Sequence, residues 1–189
     1  MDTAEHLTSD RPVVSEPVPG AIPPPSSPTV ARRLGEIDAL DVFVDRLEQI
    51  SSAVPPTFRP ALAGDWLGHP LHPLLTDLAI GFWTSSWVLD LIGGRRGSRA
   101  ATLLVGLGVA SAAPTVASGL VDWRGMDERK QRVGVVHAAA NATATALYAA
   151  SFVQRCRGQR ARGIATGMVA AGVATVGGYL GGHLAFGES

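Results

Sequence analysis

A single cysteine, Cys156, stands in the 189 residues, so no disulfide can form within the chain. Charge is sparse as well: Asp, Glu, Lys and Arg make up 17% of the residues, sixteen acidic against sixteen basic. Without a basic excess the electrostatic footprint of a nucleic-acid-binding protein is missing, and no nucleic-acid partner is expected. The first residues carry Asp2, Glu5 and Asp10 and no apolar run, so no secretory signal peptide is expected. There is also no Walker loop, no dinucleotide fingerprint and no nucleophile elbow, which argues against a stand-alone enzyme of those classes.

What the chain has instead divides into two unlike regions. Residues 1–68 are polar, acidic and proline-rich, whereas residues 69–187 are dominated by Ala, Gly, Leu and Val. Residues 1–29 hold seven prolines, with Pro23, Pro24 and Pro25 in a row. Such a segment buries too little apolar surface to offset its ordering entropy, so a disordered Pro-rich tail is expected there. Over residues 30–53, Val30, Leu34, Ile37, Leu40, Val44, Leu47 and Ile50 recur at steps of three and four. That spacing predicts one amphipathic helix. Its other positions carry Glu36, Asp38, Asp41, Asp45 and Glu48, opposite in sign to helices that lie on anionic lipid. Docking on the rest of the protein or on a partner is therefore expected. Pro55, Pro56 and Pro60 end this helix and open a linker over 54–68.

Four hydrophobic segments follow, at about 71–92, 100–122, 134–154 and 163–185, and none has a Lys or Arg inside it. Each is long enough to cross a hydrocarbon core of roughly 30 Å at about 1.5 Å per residue. The connections Gly93–Arg99, Trp123–Val133 and Arg155–Arg162 are short, which makes neighbouring helices antiparallel. The expected fold is an all-α, multi-pass protein of the cell membrane. Its 69–187 domain is a four-transmembrane-helix bundle, up-down-up-down, preceded by the amphipathic helix and the tail. Loops 93–99 and 155–162 carry seven arginines, Arg95, Arg96, Arg99, Arg155, Arg157, Arg160 and Arg162, against Arg124, Arg129, Lys130 and Arg132 on the other side. The side richer in basic residues is expected to be cytoplasmic.

The fourth segment repeats glycine, at Gly163, Gly167, Gly172, Gly177, Gly178, Gly181 and Gly182, with overlapping small-x-x-x-small spacings at Gly177–Gly181 and Gly178–Gly182. In lipid such faces let backbones approach closely, inside the bundle or across a homodimer. Pro114, inside the second segment, predicts a kink.

Under this topology four of the five histidines share one membrane face: His69 and His72 open the first segment, His137 opens the third and His183 ends the fourth. Asp122 and Trp123 end the second segment there, Asn141 and Tyr179 lie at similar depth, and Asp77 sits slightly deeper. Ionisable groups at membrane depth are costly and usually face a bundle interior. The small, polar face of Asp77, Gly81, Thr84 and Ser85 is therefore expected to point inward. Neutral imidazoles ligate haem iron, zinc or copper. His72, His137 and His183, with His69, thus form a candidate site for haem b or a transition-metal ion. Asp77, Asp122, Asn141 and Tyr179 are its candidate supporting groups, placed to hydrogen-bond a ring and fix its tautomer. His69 and His72 each precede a proline, which predicts an extended segment and a helix that starts near Pro73. The alternative stays open: histidines at helix ends also sit at the lipid–water interface with a wet ring tip, here beside a belt of Trp66 and Trp123. At the opposite face Asp90 is expected to pair with Arg95, Arg96 or Arg99, and Cys156 reads as a loop thiol.

Several of these residues stand in recognisable strings. They are Gly68-His69-Pro70-Leu71-His72-Pro73 with Leu75-Thr76-Asp77, then Gly119-Leu120-Val121-Asp122-Trp123, then His137 with Asn141, then Gly177-Gly178-Tyr179-Leu180-Gly181-Gly182-His183-Leu184. Together they resemble the bacterial membrane proteins of domain-of-unknown-function family 2231, over about residues 64–187. The resemblance implies a four-helix membrane domain. It also implies a link to electron transfer, because some members resemble fusions in which a Rieske-type iron–sulfur domain follows the last helix. With a single cysteine the present residues hold no cluster of that kind, so a Rieske-type protein would be a separate partner. The leading functional expectation is a redox-linked membrane subunit that binds haem b or a metal ion. Beside it stands a cofactor-free membrane scaffold or assembly partner that uses the acidic helix and the glycine faces. A solute or proton conductor ranks behind both, because the middles of the segments are mostly Ala, Val and Gly.

Overall fold

The computed structural model describes residues 30–186, and the tail expected over 1–29 lies outside the described residues. Those residues form seven helices and no strand: α1 Val30–Gly35, α2 Asp41–Ser52, α3 Arg59–Ala63, α4 Leu71–Ile92, α5 Ser98–Trp123, α6 Glu128–Cys156 and α7 Arg160–Phe186. Short 3₁₀ turns at Asp38–Leu40, Pro56–Phe58 and Asp65–Leu67 connect the first four.

The ends of the long helices follow from local chemistry. The Asp127 side chain accepts from the backbone N–H of Lys130 at 2.9 Å and starts α6, satisfying one of the donors that a helix N-terminus leaves free. The turn into α7 passes through Gly158, whose φ of 77° suits glycine. α4 begins at Leu71, so His72 is already helical rather than in the extended segment expected before Pro73. Proline is tolerated there because a first-turn N–H has no intrahelical acceptor. α5 runs unbroken through Pro114.

α4 packs along α5, and α6 along α7, far more extensively than any other pair, and α5 joins the two hairpins through α6. The shared core is built on Ala79, Trp83, Val105, Tyr148 and Ala170. Trp83 and Tyr148 stack across α4 and α6, with ring centres 4.0 Å apart and planes 10° apart. Trp83 reaches this position because Gly108 of α5 leaves room; a Cβ there would run into the indole.

α5 and α7, of 26 and 27 residues, are long and apolar enough to cross a membrane. α4, which carries Asp77 and Asp90, and α6, which carries His137, Asn141, Gln154 and Arg155, are not among the helices that meet that composition.

The stretch read as one amphipathic helix is divided in two. Gly35 lies against Arg129, and its carbonyl accepts from Arg132 Nη1 at 3.1 Å, so it leaves the helical ladder. α1 then buries Ala31 against Val133 of α6 and Leu180 of α7. α2 is tied to α6 by Arg132, which grips Asp41 with Nε at 2.7 Å and Nη2 at 2.9 Å, and Asp38 with Nη1 at 2.7 Å. This bidentate hydrogen bond holds the Asp41 carboxyl below its usual range. The acidic helix is thus docked on the bundle itself.

Candidate functional site

The inward face of α4 runs through His72, Thr76, Ala79, Trp83 and Ser86, at alternating steps of four and three. His72 therefore points to the inside at one end of the bundle. Its ring rests on Gly119 of α5, where an added Cβ would come within 2.8 Å of the ring. Its Nδ1–H donates to the Thr115 carbonyl at 2.9 Å. A carbonyl only accepts, so Nδ1 carries the proton, and in the neutral ring the lone pair is on Nε2. Thr76, one turn on, donates its hydroxyl to the His72 carbonyl at 2.9 Å and lies 3.5 Å from Nε2.

His137 repeats the arrangement on α6. Its ring rests on Gly181 of α7, again with 2.8 Å to an added Cβ, and its Nδ1–H donates to the Gly177 carbonyl at 2.8 Å. Asn141 Nδ2 donates to the His137 carbonyl at 3.0 Å and lies 3.1 Å from Nε2. The two rings meet edge to face, with centres 6.3 Å apart and planes at 72°. Each ring thus crosses from its own helix to its hairpin partner, and the pair bridges the two hairpins.

Not every candidate joins them. Asp122 is half-buried and within electrostatic reach of His72. His69 is exposed in the connection ahead of α4, with Nδ1 3.2 Å from the Pro70 carbonyl. His183 lies half-buried in the last turn of α7, and Tyr179 is exposed. Asp77, expected inside, is exposed together with Gly81, Thr84 and Ser85. Trp83 decides that rotation: with its indole stacked on Tyr148, the face of Asp77 must turn outward. Among the described residues no group of three His, Cys, Asp or Glu side chains is placed to hold a metal ion.

Thr76, Gly119 and Gly181 stand in the sequence strings, but their part in the site, as a hydroxyl beside His72 and as glycine floors under the two rings, was not read from them. The i, i+4 pairs His72–Thr76 and His137–Asn141 carried the available signal, because such residues neighbour each other on a helix. At the opposite end Asp90 pairs not with its near neighbours but with Arg155 Nη2 at 2.6 Å and Arg160 Nη2 at 3.0 Å. The turn between α6 and α7 brings those arginines beside α4.

A family model described as a predicted membrane protein (DUF2231) matches residues 68–188. No curated protein and no solved structure matches this chain.

Proposed function

Because this chain belongs to the DUF2231 family of predicted membrane proteins, we propose that it is a multi-pass membrane subunit, redox-linked through a two-imidazole site at His72 and His137. The observation that carries this reading is the orientation of the two rings. Both hold Nδ1–H on a backbone carbonyl, the arrangement by which ligating histidines are fixed in tautomer and direction. Metal–nitrogen bonds of about 2.0–2.1 Å put the centres of two rings that share one tetrahedral ion about 5 Å apart; these rings lie 6.3 Å apart, so sharing one takes a small shift. A single transition-metal ion would take the place of Asn141 Nδ2 at His137 Nε2; haem b requires α4 and α6 to part, because both rings rest on glycine. Electron exchange with a Rieske-type partner is the role such a site would serve.

The reading has four crossings. α4 packs along α5 from His72 over Gly119 through Trp83 over Gly108 to the short turn that joins them. α6 touches α7 from His137 over Gly181 to Ser151 against Gly163. If α5 and α7 cross, their partners cover the same depth. Leu74, Leu78, Ile80, Val88, Leu91 and Ile92 are exposed on the outward side of α4, a side suited to lipid except at Asp77, Thr84 and Ser85, which share it. Gly178 and Gly182 face outward with open space beside them, a surface on which a second copy can pack.

One observation favours a second reading. Both rings already make interhelical hydrogen bonds, so they also work as ties in a cofactor-free scaffold. A dithionite-reduced minus oxidised visible spectrum of the detergent-purified full chain, with metal analysis on the same sample, separates the two. The redox reading expects stoichiometric haem or metal, lost in His72→Ala and His137→Ala but kept in His69→Ala and His183→Ala. A flat spectrum without metal, from cells supplied with both, leaves the scaffold.

A further inference from the structure

We propose that the cleft between the start of α5 and the end of α6 binds the phosphate headgroup of an anionic lipid. It lies at the opposite end of the bundle from the histidines and does not depend on their role. The cleft has a volume of about 480 Å³. Arg99, Arg155 and Arg160 supply its polar side, and Leu103 and Phe152 its apolar side.

Charge and hydrogen bonding both call for an anion. Asp90 is a single carboxylate shared by two guanidiniums, the buried Arg155 and the partly exposed Arg160, so this trio carries one net positive charge. Arg99 adds another; it is exposed and forms no ion pair among the described residues. The Arg155 side chain is 1% exposed, yet its Nη1 has no hydrogen-bond partner, and neither has Arg160 Nε. Leaving such donors unmade in a buried place is costly, so they point to an acceptor from outside the chain. The 26-residue helix α5 starts at this cleft, and the partial positive charge of its N-terminus adds to the attraction.

The apolar side selects a lipid over a free phosphate. Leu103 is largely exposed and Phe152 half-buried. A small anion would satisfy the arginines and leave these side chains bare. A phospholipid covers both, with its phosphate on the guanidiniums and an acyl chain against Leu103 and Phe152. The cleft opens at the end of a helix apolar enough to cross the membrane, the level at which headgroups lie, and basic pockets between membrane helices recognise them.

The test is native mass spectrometry on the delipidated full chain, offered phosphatidylglycerol or phosphatidylcholine with the same acyl chains. One phosphatidylglycerol is expected to be retained, in clear preference to phosphatidylcholine. Arg99→Gln is expected to weaken that retention about fivefold. Lys130→Gln, at the other end of the bundle, is expected to leave it unchanged. Equal retention of the two lipids overturns the proposal, and so does wild-type retention by both Arg99→Gln and Arg160→Gln. Displacement of the lipid by millimolar inorganic phosphate, which then itself stays bound, assigns the cleft to a soluble anion and overturns the lipid assignment.

Discussion

The hydrogen atom that Gly181 carries in place of a side chain is what lets the His137 ring lie against α7 and reach the Gly177 carbonyl. The neighbouring Gly182 has open space around it. Gly181→Ala is therefore expected to lose about 1–3 kcal/mol of stability, the usual cost of overfilling a packed contact. Gly182→Ala is expected to stay within about 0.5 kcal/mol of the parent. Reversible unfolding in mixed detergent–SDS micelles reads both values, and equal losses would mean that the His137 contact adds nothing. The sequence carried the glycine repeat but not its division of labour. Gly177 and Gly181 face Asn141 and His137, whereas Gly178 and Gly182 face outward. Which glycine receives a side chain depends on the rotation of two helices about each other, and a one-chain periodicity does not contain that angle.

Among the elements, the N-terminal pair α1–α2 is ion-paired to α6 through one side chain. Arg132 bridges Asp38, Asp41 and the Gly35 carbonyl. The Asp41 carboxyl is held below its usual range, first by this hydrogen bond and then by the charge of Arg132. A carboxyl whose folded value is lowered stabilises the docked state above its ordinary titration range. That contribution is lost as pH falls through the lowered value, when the proton replaces the guanidinium. α2 should therefore stay on α6 at neutral pH, and its attachment should weaken below about pH 4. Asp41→Asn is expected to bring that looser state to neutral pH. Proteolytic cleavage after Arg46, compared across pH and between the two proteins, measures it; a cleavage rate independent of both pH and Asp41 would remove Arg132 as the tie. The apolar stripe that marked residues 30–53 as helical did not show the break, because the break comes from Arg129 and Arg132, about a hundred residues away in the chain. The same distance explains Asp90. Reasoning from near neighbours chose Arg95, Arg96 or Arg99, but the α6–α7 turn supplied Arg155 and Arg160.

For the molecule as a whole, the lengthwise packing of α4 on α5 and of α6 on α7 ties the number of crossings to the orientation. Four crossings put the α6–α7 turn and the α5–α6 turn on opposite sides of the bilayer. If only α5 and α7 cross, those two turns share a side. The chain contains its own probe: Cys156 is the single cysteine and is exposed at the end of α6. The basic residues around it predict that it faces the cytoplasm. A membrane-impermeant maleimide is therefore expected to spare Cys156 in intact cells and to react with it in inverted vesicles. In a Cys156→Ser background, Gly125→Cys reports the other turn, because Gly125 is exposed between α5 and α6. That residue is expected to react in intact cells. Reaction of both positions in intact cells, or of both only in inverted vesicles, would take α6 out of the membrane. The His137 partner of the pair would then lie on a helix outside the bilayer. Opposite sides with Cys156 outward would keep the four crossings and reverse the orientation, placing the arginine cleft on the outer leaflet and the histidine pair at the cytoplasmic face.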